Sequence, residues 1–124
     1  MKPLTGSADA AKLTERILNG EGGMLRSLTV KGPTTMALRL SVQDASRGFD
    51  WIDLVFEMNG VTDAKLLDDK QLSFVDTDEG ITLRYENGVW GIGVGRYESL
   101  EALKSSPLYL TGTSLKYEEA PFGG

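Results

Sequence analysis

Between Ile81 and Gly95 the chain reads Ile-Thr-Leu-Arg-Tyr-Glu-Asn-Gly-Val-Trp-Gly-Ile-Gly-Val-Gly, two alternating runs joined by Asn87-Gly88. Asn-Gly is the dipeptide that best accepts the two left-handed residues of a type I′ turn, so the stretch predicts a two-residue β-hairpin. A tight turn also sets the register: Glu86 opposite Val89, Tyr85 opposite Trp90, Leu83 opposite Ile92 and Ile81 opposite Val94. The larger side chains then line one face, while Thr82, Arg84 and Glu86 stand opposite Gly93, Gly91 and Val89 on the other. Turn chemistry and cross-strand pairing agree, which makes this hairpin the organising element of the expected fold.

The rest of the chain extends that pattern. Ser7 to Asn19 predicts a helix with Ser7 as N-cap, Asn19-Gly20 as stop signal, and Ala10, Leu13 and Ile17 on one stripe widened by Ala11 and Leu18. Met24 to Lys31 reads as a strand with Leu28 and Val30 inward. Thr35 to Gln43 alternates cleanly, with Met36, Leu38, Leu40 and Val42 inward. Phe49 to Met58 directs Ile52, Leu54, Phe56 and Met58 to the core, and Trp51, Asp53, Val55 and Glu57 away from it. Val61 to Leu67 predicts an irregular crossing with a brief strand, and Gln71 to Thr77 a strand through Leu72, Phe74 and Val75. Glu98 to Ser105 predicts a short helix. In the last strand, Leu108 to Glu118, Leu108 and Leu110 differ in parity from Leu115 and Tyr117, so a β-bulge at Gly112 is expected to bring all four to one face. Residues 119–124 read as a flexible tail. The expectation is one α+β domain over residues 1–124: an N-terminal helix on a curved, mostly antiparallel sheet of about six strands, with the hairpin at its centre and a short helix before the last strand.

Composition narrows function by exclusion. Eighteen acidic residues against 13 basic ones give a net charge of -5, which repels phosphate backbones and favours a partner with a basic surface. The chain has no cysteine and no histidine. Thiolate chemistry, disulfides, catalytic triads and histidine-based metal sites are therefore outside its reach. No apolar run after Met1-Lys2 has the length of a signal peptide or a membrane helix. The expectation is a cytoplasmic protein without nucleic-acid or membrane partners.

Individual motifs add little chemistry. Asp76-Thr77-Asp78-Glu79-Gly80 places oxygens near a glycine but lacks the length and the terminal bidentate glutamate of a calcium loop, and it reads as a hairpin turn. Gly91, Gly93 and Gly95 alternate within a strand instead of opening a helix, so they clear one face for a bent strand, a closely packed helix, or a shallow groove beside Arg84. Asp50, Asp53 and Glu57 lie on one strand, and a separation of four residues spaces Asp53 and Glu57 by roughly 13 Å, too far for paired glycosidase carboxylates. Tyr85 and Trp90 read as a cross-strand core pair that could otherwise stack a planar ligand. Gly123-Gly124 resembles the tail of ubiquitin-like modifiers and sulfur carriers, whose terminal diglycine is activated as an adenylate. Here a helix comes first and a run of strands follows, which departs from the β-grasp order of those families.

The strand around Trp51 differs from its neighbour because it places apolar residues on both faces. Trp51 and Val55 are costly to leave wholly wet, so the helix, the tail or a partner is expected to cover them. Hence the functional expectation is a non-enzymatic protein-binding domain of inhibitor, immunity or adaptor type, needing no cofactor and no metal. Its binding residues are expected to be Trp51, Asp53, Val55, Glu57 and Arg84. A small-molecule carrier with an apolar pocket inside a curved sheet is the alternative, followed by an enzyme using lysine or carboxylate chemistry.

Overall fold

A computed structural model describes residues 1–123. Among these, the elements follow as β1 (Lys2–Pro3), α1 (Ser7–Arg16), β2 (Met24–Gly32), β3 (Thr35–Asp44), β4 (Asp50–Asn59), β5 (Asp63–Lys65), α2 (Asp69–Leu72), β6 (Ile81–Glu86), β7 (Val89–Val94), α3 (Leu100–Leu103), β8 (Tyr109–Gly112) and β9 (Ser114–Ala120). The α+β class holds, with α1 preceded only by the two-residue β1 and every strand pair antiparallel. The strands form two sheets where one curved sheet of about six was expected: a larger one ordered β1-β9-β4-β3-β2 and a smaller one ordered β5-β8-β7-β6.

The Ile81 to Gly95 hairpin forms in the register that its turn demands, with Tyr85 opposite Trp90 and Ile81 opposite Val94. Asn87 and Gly88 adopt φ of 51° and 80°, the left-handed pair of a type I′ turn. The hairpin is not central, however. β6 is an edge strand of the smaller sheet, and α1 packs beside it.

The inner faces of both sheets share one core. Leu38, Leu40, Leu54, Phe56 and Met58 meet Ile92, Leu108, Leu110 and Leu115, and Ala10, Leu13 and Ile17 of α1 enter the same cluster. The expected core of Ile52, Leu54, Phe56, Leu83 and Ile92 is present, Leu83 at its margin. Ala11 is exposed and takes no part in the helical stripe. The residue that caps α1 is Gly6, not Ser7, and the Ser7 hydroxyl instead donates to the Tyr85 carbonyl.

Leu108, Leu110, Leu115 and Tyr117 all turn toward the core, but no bulge at Gly112 brings this about. The chain leaves the larger sheet at Asn59-Gly60 and returns to it between Gly112 and Ser114, and the two crossings lie side by side. Asn59 pairs with Ser114 in one sheet, Asp63 pairs with Thr111 in the other, and the Thr113 amide donates to the Asn59 carbonyl. A two-stranded ribbon thus bends from one sheet into the other, and the change of parity marks the corner.

Three further expectations are corrected. Residues 71–77 are not a strand: Asp68 caps α2, its side chain accepting from the Gln71 amide while Gln71 reaches back, so Leu72 is buried and Phe74 is 87% exposed. In β2 the register shifts between Leu25 and Ser27, which buries Leu25 and leaves Val30 at the exposed end. Glu119 and Ala120 belong to β9 and not to a tail.

Candidate functional site

The outer face of the larger sheet carries most of the side chains singled out in the sequence. Cα partners run in rows across it: Met24, Ser41, Asp53 and Ala120; then Ser27, Arg39, Val55 and Glu118; then Thr29, Ala37, Glu57 and Lys116. Trp51 lies opposite Gln43 at one end. Alternation along β4 places Trp51, Asp53, Val55 and Glu57 here because Ile52, Leu54, Phe56 and Met58 are claimed by the core. Helix α1 packs from the core side, so it does not cover them.

What partly covers this face is the segment after β9. The Phe122 ring lies 5.8 Å from that of Trp51, tilted by 34°. The Arg26 guanidinium stands 5.4 Å from the Phe122 centroid, within cation–π range. Beneath these groups runs a polar chain across three strands. Arg26 Nε donates to Ser41 Oγ at 2.7 Å, Ser41 Oγ donates to Asp53 Oδ1 at 2.5 Å, and Arg39 Nε donates to Asp53 Oδ2 at 2.7 Å. Asp53 is only 1% exposed. Burial pushes its carboxyl up, yet the Ser41 and Arg39 hydrogen bonds outweigh burial and hold it below the ordinary value. Asp53 therefore anchors the face from below and presents no free negative charge.

Around that network the surface is apolar and open. Trp51 is 36% exposed and Phe122 41%, while Met24 also reaches solvent. Phe49, exposed two residues before Trp51, has a left-handed backbone with φ of 68°, a costly conformation for an aromatic residue. Glu57 sits at the far end, with Lys31 Nζ 3.5 Å from its carboxylate.

Arg84 lies elsewhere, on the outer face of the smaller sheet. Its Nε donates to Glu86 at 3.0 Å, and the same carboxylate accepts from the Leu100 amide at the start of α3. The floor beside it is occupied. A Cβ at Gly93 would stand 2.8 Å from Leu103 Cγ, and one at Gly91 would strike Leu100. These glycines let a short helix lie directly on the strand. Tyr85 and Trp90 stack on each other with centroids 4.7 Å apart, and Trp90 is buried.

A second charged cluster closes one end of the core. Asp44, fully buried, receives both Arg16 Nε at 2.9 Å and Arg16 Nη2 at 2.5 Å, with Ser46 donating through amide and hydroxyl. Glu119 bridges Arg16 and Arg47. The Arg16 bonds hold the Asp44 carboxyl well below the usual carboxylate range despite burial. Every charge in it is paired, and it ties α1 to β3 and β9.

Among the described residues no three carboxylates come together as a metal site, and no helix is long and apolar enough to cross a membrane. Asp76 to Gly80 forms a turn in which Asp76 accepts from the Asp78 amide. Gly124, the last residue of the diglycine, lies outside the described residues. Comparison with protein-family models, curated proteins and solved structures finds no match.

Proposed function

We propose that this chain is a non-enzymatic, cytoplasmic protein-binding domain of inhibitor, immunity or adaptor type. It docks a partner with a basic surface through the outer face of its larger sheet. One observation carries the reading: Trp51 stays exposed on a face whose floor is held rigid by the Arg26, Ser41, Asp53 and Arg39 network, with Phe122, Met24 and Phe49 also open to solvent. A large apolar anchor on a preorganised floor is the usual make-up of an interface centre, where a few aromatic residues carry most of the affinity. Glu57 and Glu118 supply negative charge at the rim, and the net charge of -5 repels nucleic acid while attracting basic proteins.

The deciding comparison is affinity capture from native cell lysate with the wild-type chain and with Trp51→Ala. Trp51→Ala is expected to keep its thermal unfolding profile while weakening the captured partner by about 2 kcal/mol or more. Equal capture by both chains would refute the reading, as would a Trp51→Ala protein that unfolds.

A further inference from the structure

Residues 121–123 sit on the candidate face in the manner of a bound peptide. Arg39 Nη2 donates to the Pro121 carbonyl at 3.5 Å. Phe122 inserts between Trp51 and Arg26, and the Gly123 backbone lies against the Asp53 carboxylate. Each position is read by a different chemistry. Proline presets an extended backbone and offers only a carbonyl, the aromatic ring fills the space between an indole and a guanidinium, and glycine leaves room where a Cβ would stand 3.3 Å from Asp53 Oδ2. A carbonyl held at one position, close backbone approach at another and a side-chain pocket between them are elements of extended-peptide recognition. Beneath the ring, Arg26 Nη2 is buried without a hydrogen-bond partner among the described residues, so the seat has donor capacity that this segment does not use.

Resting on the proposal that this face is the docking surface, we infer that it recognises an extended Pro-Phe-Gly-type segment of the partner protein. The chain's own residues 121–123 hold the same seat until they are displaced. A tethered segment competes at an effective concentration in the millimolar range, so the partner must exceed that or bring further contacts. Phe122 keeps 41% of its surface in solvent and the Arg39 bond is long, which suits an occupant that can leave.

The test titrates acetyl-Ala-Pro-Phe-Gly-Gly-amide into ¹⁵N-labelled full-length Phe122→Ala and wild-type proteins, following the Trp51 indole N–H and the Arg26 and Arg39 Nε–H signals. Saturable shifts are expected in Phe122→Ala. At least about tenfold weaker apparent affinity is expected in wild type, because apparent affinity scales with the fraction of open seats. An Ala-Pro-Ala-Gly-Gly peptide should give none, and adding Arg26→Gln to Phe122→Ala should weaken binding again. No saturable shift in Phe122→Ala, equal affinity in the two proteins, or equal binding of the alanine peptide overturns the inference. If the peptide fails while Trp51→Ala still loses its lysate partner, the docking face stands and only the segment chemistry falls. If the peptide binds but capture is independent of Trp51, the docking face falls and the partner assignment with it. A concentration-dependent wild-type dimer that disappears in Phe122→Ala would make a second copy the occupant and overturn the inference of a different partner.

Discussion

Asp44 shows how one residue couples the chain's ends to its core. It is fully buried and carries a charge only because Arg16, Ser46 and Arg47 surround it. Removing one partner of such a group costs more than the pair itself contributes, because the remaining charge is left in low dielectric. Arg16→Ala is therefore expected to lower unfolding free energy by about 2–3 kcal/mol, measured by urea denaturation, with Arg47 limiting the loss. The pH dependence follows from the direction of the shift. Asp44 titrates lower folded than unfolded, so its stabilising contribution is complete above the unfolded value of about 4 and is lost as pH falls from there toward the folded value. Asp53 shifts in the same direction. Melting temperatures should hold near neutrality and drop below about pH 4, and Asp44→Asn, weaker at pH 7, should drop less. Gly93 makes the opposite kind of demand, since it must remain small. Gly93→Ala pushes a methyl group against Leu103 Cγ, buried between α3 and the smaller sheet, an overpacking worth about 1–3 kcal/mol, and thermal unfolding will show whether α3 can shift enough to relieve it.

At the scale of elements, the segment 68–77 shows where alternation misleads. Leu72, Phe74 and Val75 have β-like spacing and composition, yet Asp68 and Gln71 are three apart, the spacing of a capping box, and that box starts α2. Leu72 enters the core, and Val75 packs against its margin. Leu72→Ala is expected to cost about 2–5 kcal/mol, whereas Phe74→Ser, with 87% of that residue already in water, should leave the urea midpoint unchanged. A core strand through residues 71–77 would make both substitutions costly. The hairpin is the opposite case, because Asn87-Gly88 and the two flanking runs are neighbours in sequence, and local chemistry alone determines their register.

For the whole molecule, the excess of acidic residues acts at long range. Encounter with a basic partner should slow as salt rises from about 0.05 to 0.5 M, while dissociation changes little, because screening acts on the approach of two charged surfaces more than on a packed interface. Surface plasmon resonance with the captured partner would separate the two rates, and a salt-independent association rate would remove the charge argument. The α+β class, the hairpin register, the inward and outward sides of β3 and β4, and the helical stripe of Ala10, Leu13 and Ile17 were determined by the sequence itself. Each rests on turn chemistry or periodicity within one stretch of chain. The division into two sheets, the corner at Gly112, the burial of Asp53, the ion cluster of Arg16 with Asp44 and Glu119, and the seating of Phe122 on Trp51 were decided only by tertiary structure. The groups that meet there are tens of residues apart, and parity along one strand tells which face a side chain takes but not what the rest of the chain lays upon it.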